Sequence, residues 1–159
     1  MTQTHSISTC TTGPGVTERA GARFARTLKP GAVITLSGIY GAGKTTFARG
    51  VALGLRVSAR HVASPSFVLI KEFPVHTQGI RTLAHIDLWR LPRLTATDSH
   101  AIEEILKRPD GITLIEWGIK LPKRFQKYVS HSVNLKITGP TARTLIIHSL
   151  HSRKKTKRA

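Results

Sequence analysis

The segment Gly38-Ile39-Tyr40-Gly41-Ala42-Gly43-Lys44-Thr45 carries the residue types and spacing G-x-x-x-x-G-K-[ST]. A loop of that kind binds the phosphates of a nucleoside triphosphate. Gly41 and Gly43 let the backbone turn tightly and meet phosphate oxygens with no Cβ in the way. The amides from Gly41 through Ala42, Gly43, Lys44 and Thr45 to Thr46 are then expected to point into one concavity. A helix starting there turns its positive dipole end toward the same anion. In this reading Lys44 reaches the β- and γ-phosphates and the Thr45 hydroxyl ligates Mg²⁺. A glycine-rich turn with a solvent-facing lysine is the bland alternative, and it leaves the adjacency of Lys44 and Thr45 unexplained.

Such chemistry needs a carboxylate near the metal, usually at the end of a buried strand. The chain has eight acidic residues, so the search is short. Glu18, Asp98, Glu103 and Glu104 fall on expected helices, Asp110 in a turn and Glu72 late in a strand. Glu116 ends the apolar run Ile112-Thr113-Leu114-Ile115 and is the candidate metal-side residue; a loop carboxylate answering basic neighbours is its alternative. Asp87 is the second candidate, on one strand face with His85 and Trp89; an ion pair with Arg90 or Arg93 is its alternative. His85 reads as a packing or hydrogen-bonding residue. Trp117 stacks on a base or partner, or packs in the core. Ser66 senses a γ-phosphate or caps the Ser64-Pro65-Ser66 turn.

The elements that must position these residues are legible in the apolar pattern. Ala32-Val33-Ile34-Thr35-Leu36 reads as a buried strand before the loop. Phe47, Ala48, Val51 and Ala52 recur at helical spacing after it, with Gly54 closing that helix. Upstream, Thr17 is expected to cap a helix bearing Val16, Ala20, Phe24 and Leu28 on one face, ended by Lys29-Pro30-Gly31. Phe67 to Ile70 and Arg81 to Trp89, with a turn near Thr77-Gln78-Gly79, predict an antiparallel hairpin. Asp98 to Lys107 predicts a helix with Ile102, Ile105 and Leu106 inward. Two alternating strands follow, through Val133, Leu135 and Ile137 and then Leu145 and Ile147.

A chain of 159 residues is one domain by length. Residues 1–15 read as a flexible N-terminal segment, 16–150 as the folded domain and 151–159 as a basic tail. No apolar run reaches the ~20 residues of a membrane span, and Met1 to Gly15 reads as no secretory signal. The single Cys10 gives neither a disulfide framework nor a zinc pattern, so a reducing cytoplasm is expected and no membrane. The charge is extreme, 25 basic against 8 acidic residues and net +17. Five of those charges, Arg153, Lys154, Lys155, Lys157 and Arg158, lie in the tail, so the rest of the chain stays strongly basic. Such a surface attracts polyanions, RNA among them; a compositional bias with a solubilising tail explains it equally.

Five segments together resemble the bacterial ATPase family of tRNA threonylcarbamoyladenosine biosynthesis, TsaE or YjeE. They are Gly41-Ala42-Gly43-Lys44-Thr45-Thr46-Phe47, Ser64-Pro65-Ser66-Phe67, His85-Ile86-Asp87-Leu88-Trp89-Arg90-Leu91, Ile102-Glu103-Glu104 and Ile115-Glu116-Trp117. The resemblance implies an α/β, three-layer P-loop NTPase-like domain with a mainly parallel central sheet and a short antiparallel part. It implies an ATPase that binds and slowly hydrolyses ATP with Mg²⁺. It also implies two homologous partner proteins, one bearing the threonylcarbamoyl transferase site that modifies adenosine 37 of tRNA, with the ATPase resetting that complex. On this sequence Lys44, Asp87 and Glu116 take catalytic roles, and Thr45 and Glu116 the metal. Thr17, Gly41, Ala42, Gly43, Lys44, Thr45, Thr46 and Trp117 take nucleotide contacts.

The pattern has departures. Ile39 and Tyr40 stand where the family usually has an acidic residue and Leu, which implies weak intrinsic hydrolysis. Ser66 replaces the usual Thr and Trp89 the usual Tyr, and Gly118-Ile119-Lys120 replaces a Pro- or Ala-led acidic segment. Two other functions compete. A small-molecule or nucleotide kinase shares the loop but needs a lid, and no lid-like insertion is evident after Leu55. A basic RNA-binding assembly subunit with a vestigial nucleotide site is the other, against which stand the intact Lys44, Thr45, Asp87 and Glu116.

Overall fold

The computed structural model describes residues 5–58 and 69–150. The order is β1 (His5–Thr12), α1 (Pro14–Ala25), β2 (Val33–Ser37), α2 (Lys44–Gly54), β3 (Ile70–Thr77) and β4 (Ile80–Asp87). Then come α3 (Ala96–Leu106), β5 (Gly111–Glu116), two 3₁₀ turns (Gly118–Lys120 and Lys123–Tyr128), β6 (His131–Ile137) and β7 (Ala142–Ser149). The strands form one sheet in the order β1-β7-β6-β2-β5-β4-β3.

Side-chain alternation along the central strands divides the apolar residues between two faces. Ile34 and Leu36 of β2 and Ile112 and Leu114 of β5 pack with Ala20 and Phe24 of α1 and Phe47, Ala48 and Val51 of α2. Val33 and Ile115 point the other way, onto Ile102 and Leu106 of α3 and onto Leu121 and Phe125. The result is a three-layer α/β domain. Burying a side chain such as Phe47 or Leu114 fully is worth about 1.5–3 kcal/mol, and both are fully buried. No helix among the described residues is long and apolar enough to cross a membrane.

The centre of the sheet is parallel: β2 pairs with β5 and β6, and β4 with β5. The antiparallel share is larger than the expected short part, because β3–β4, β6–β7 and β1–β7 all run antiparallel. The β3–β4 pair is the hairpin read from the sequence. Its outer strand carries Lys71, Glu72 and Pro74, which suit an edge. Its expected start at Phe67 and the Ser64-Pro65-Ser66 turn lie outside the described residues, as does the tail.

Two expectations for the N-terminal part change. His5–Thr12, within the segment read as flexible, forms edge strand β1, paired along its whole length with β7. Its backbone bonds, not its mostly exposed Ser and Thr side chains, hold it there. Thr17 does not cap α1. Gly13, at φ 85°, occupies the cap and Pro14 the first helical turn, where a missing N–H costs nothing. Thr17 lies inside the helix, its hydroxyl 2.9 Å from Thr11 Oγ1 and 3.3 Å from the Gly13 carbonyl.

Candidate active site

The site forms where β2, β4 and β5 end on the α1/α2 side of the sheet. In an open α/β sheet the crevice beyond the carboxyl ends of parallel strands is where ligands bind. β2 delivers the loop, and α2 begins at Lys44 with Gly43 in the left-handed region at φ 97°. Gly41 is left-handed too, at φ 75°, and open space surrounds the position a Cβ would take. Gly38, at φ 148°, passes so close to β6 that a Cβ would lie 2.4 Å from the Leu135 carbonyl oxygen. The first N–H groups of α2, from Lys44, Thr45 and Thr46, have no intrahelical acceptor. The Ala42 amide differs from the expectation for the loop, since it donates to the Ile39 carbonyl at 3.2 Å.

Lys44 is buried, 5% exposed. Its Nζ donates to the carbonyls of Gly38 and Ile39, both at 2.9 Å, and lies 3.9 Å from the Trp117 ring centroid. Burial pushes its pKa below the ordinary lysine value, while the charges of Glu116 and Asp87 oppose that shift. The lysine is held folded back over its own loop, with acidic groups close enough to favour its charge.

Glu116, the last residue of β5, is 2% exposed. Its Oε2 accepts from the Thr45 hydroxyl at 3.0 Å and its Oε1 lies 2.9 Å from His85 Nε2. Asp87 is Glu116's register partner on the neighbouring strand, and its Oδ1 accepts from the Trp89 amide at 2.9 Å. Thr45 and Glu116 thus present two hard oxygen donors at one point. Mg²⁺ keeps waters and takes one or two protein oxygens beside the phosphates of its substrate. Among the described residues no group of three or more His, Cys, Asp or Glu could hold a metal by itself. The Thr45 hydroxyl and the Glu116 carboxylate would suit an Mg²⁺ that takes its remaining ligands from water and phosphate.

Aromatic rings line one flank. Trp117 stacks on Trp89 with centroids 4.1 Å apart, and Tyr40 lies 6.3 Å beyond Trp89. Trp117 sits at φ 58°, an unusual place for a bulky residue. The next residue must be glycine, because a Cβ on Gly118 would meet Thr35 Cβ at 2.4 Å.

The fold gathers Lys44, Thr45, Asp87, Glu116 and Trp117 around the loop. Thr17 borders it differently: its methyl lies 3.8 Å from where a Gly43 Cβ would sit, and its hydroxyl turns to Thr11 and Gly13. His85, read from the sequence as a packing or hydrogen-bonding residue, is fully buried and lies 2.9 Å from Glu116 Oε1. The signal was present in the alternation that puts His85 and Asp87 on one face, but the approach of Glu116 comes only from the β4–β5 register.

The family model described as threonylcarbamoyl adenosine biosynthesis protein TsaE matches residues 12–145. A relative from Bacillus subtilis, called tRNA threonylcarbamoyladenosine biosynthesis protein TsaE, is 37% identical over 68% of this chain and 64% of its own length. The match thus spans under two thirds of that relative. One of the same name from Treponema pallidum is 30% identical over 82% of this chain and 92% of its own. The crystal structure of Bacillus subtilis YdiB superposes with a TM-score of 0.68 at 26% identity, covering 96% of this chain and 91% of that one. A match over most of the folded domain and a shared fold, in a chain whose loop, Asp87 and Glu116 meet at one crevice, show that it belongs to the TsaE family of tRNA threonylcarbamoyladenosine biosynthesis.

Proposed function

We propose that this protein binds ATP with Mg²⁺, hydrolyses it slowly, and serves the synthesis of threonylcarbamoyladenosine at position 37 of tRNA by resetting the transferase complex between turnovers. The observation that carries this reading is the meeting of Thr45 and Glu116 at 3.0 Å beside the buried Lys44. Lys44 neutralises the β- and γ-phosphates, and the open amides of α2 bind the same oxygens. Thr45 and Glu116 hold Mg²⁺, which when bound spreads the charge developing on the phosphates. Asp87 orients the attacking water. Ile39, exposed at the loop tip, supplies no acid there, and turnover is slow for that reason.

The partners are two homologous proteins, one of them bearing the transferase site. ATP favours the conformation that docks on them, and hydrolysis releases it. tRNA is met through that complex or through the basic surface that a net charge of +17 implies. The work takes place in the cytoplasm. A second reading, a binding subunit with a vestigial site, draws on the same Ile39. Hydrolysis measured for the protein alone, and with partners and tRNA, separates the two. Turnover that rises with partners and vanishes in Lys44→Ala and Glu116→Ala supports the ATPase; ATP binding with no turnover in any mixture supports the binding subunit.

A further inference from the structure

We propose that His85 is a positioning residue, whose Nε2–H holds the Glu116 carboxylate in the orientation that presents Oε2 to Thr45 and to the metal. This rests on the nucleotide and metal reading above. His85 is fully buried on β4, on the sheet face that carries Leu83 and Asp87. Its register partner is Leu114, two residues before Glu116 on β5, so its ring reaches forward to Glu116 Oε1 at 2.9 Å. Glu116 is therefore tied at both oxygens, Oε1 by His85 and Oε2 by Thr45. An ionised carboxylate only accepts, so the proton in this bond belongs to Nε2.

The other ring nitrogen argues against simple core filling. Nδ1 is buried with no hydrogen-bond partner among the described residues. An apolar side chain would fill this face without that penalty. What histidine adds over an apolar side chain is the donor at Glu116. Without that donor the buried Oε1 loses its partner. The carboxylate is then free to turn away from Thr45 and from the metal position.

Residues that orient a metal ligand typically change metal affinity 10–100-fold when replaced. The test is Mn²⁺ binding in the presence of ADP, followed by the electron paramagnetic resonance of free Mn²⁺. Wild type, His85→Gln and His85→Leu are compared, each checked for folding by urea denaturation. The expected result is that His85→Leu weakens Mn²⁺ binding about 10–100-fold and leaves metal-free ADP affinity unchanged. His85→Gln, which keeps an N–H donor, recovers most of the loss. Equal Mn²⁺ affinity in all three proteins, including no binding in any, overturns the proposal; so does an equal loss of metal-free ADP binding. Nitrogen NMR of the wild-type ring reads the bond without any variant, and a proton on Nδ1 in place of Nε2 overturns it too. A wild type that shows this Mn²⁺ pattern yet never hydrolyses ATP refutes the ATPase reading and leaves the role of His85 standing.

Discussion

In an isolated helix Gly50→Ala would stabilise, because alanine is the better helix former by about 0.8–1.0 kcal/mol. In this fold we predict the opposite. Gly50 lies in α2 where that helix crosses α1, and a Cβ there would sit 2.1 Å from the Glu18 carbonyl oxygen and 2.8 Å from its carbon. Both are backbone atoms, so no rotamer relieves the clash. Ordinary contact begins at 3.4 Å, so the helices must part by about 1.3 Å. The seam is close-packed along its length: Gly21 would meet the Phe47 carbonyl oxygen at 2.4 Å and Gly54 the Ala22 carbonyl oxygen at 2.6 Å. Parting it loosens Phe24 against Phe47 in the shared core. Overpacking costs about 1–3 kcal/mol, and a rigid backbone clash belongs at the upper end. Less the helix-propensity gain, the net is about 2 kcal/mol of destabilisation. Urea unfolding reads it directly, and Tm should fall by about 4–8 °C for a domain of this size. Because α2 starts at Lys44, ADP affinity should fall as well. A Gly50→Ala protein more stable than wild type by about 1 kcal/mol, with ADP affinity intact, would refute this account of the seam.

Other consequences follow from the site and its supports. Thr95→Ala removes the cap of α3, where the Thr95 hydroxyl accepts from the Asp98 amide at 3.1 Å, and should cost about 1 kcal/mol in urea unfolding. The Thr95 hydrogen bonds hold the Asp98 pKa below 3.8, so its contribution is present above that pH and lost as pH falls through the lowered value; the gap between wild type and Thr95→Ala should narrow in acid. Lys44 has its pKa lowered from 10.5 by burial, so between the lowered value and 10.5 the unfolded chain holds a proton the folded one gives up. Raising pH through that window stabilises the fold by this group, while ADP binding there takes up protons, which calorimetry in buffers of different ionisation enthalpy detects. Trp89 and Trp117 are the chain's two tryptophans, stacked together with Lys44 Nζ 3.9 Å from the Trp117 ring. Lys44→Ala should therefore shift the fluorescence of the nucleotide-free protein, and unchanged emission would count against that contact.

The loop and its helix were legible because their signals are local. Gly41, Gly43 and Lys44 lie within four positions, and the apolar spacing of Phe47, Ala48 and Val51 sets the buried face of α2. Glu116 was found the same way, as the polar end of an apolar run. The His85–Glu116 bond joins residues 31 positions apart and exists only because β4 and β5 pair in one particular register. β1 was hidden for another reason: its Ser and Thr side chains are mostly exposed and carry no clear apolar alternation, and its stability comes from pairing with β7. At the start of α1 the deciding signals were Gly13 and Pro14, not Thr17, because a left-handed glycine followed by proline sets the first turn by backbone geometry alone.

The central claim is that the crevice around Lys44 and Glu116 powers threonylcarbamoyladenosine formation. The most direct measurement is the threonylcarbamoyladenosine content of tRNA, by mass spectrometry of digested nucleosides, in a bacterial strain depleted of its own TsaE. The strain carries this protein, Lys44→Ala or Glu116→Ala at equal abundance. The account predicts that the wild type restores the modification and that neither variant does. Restoration by either variant to the wild-type level would contradict it.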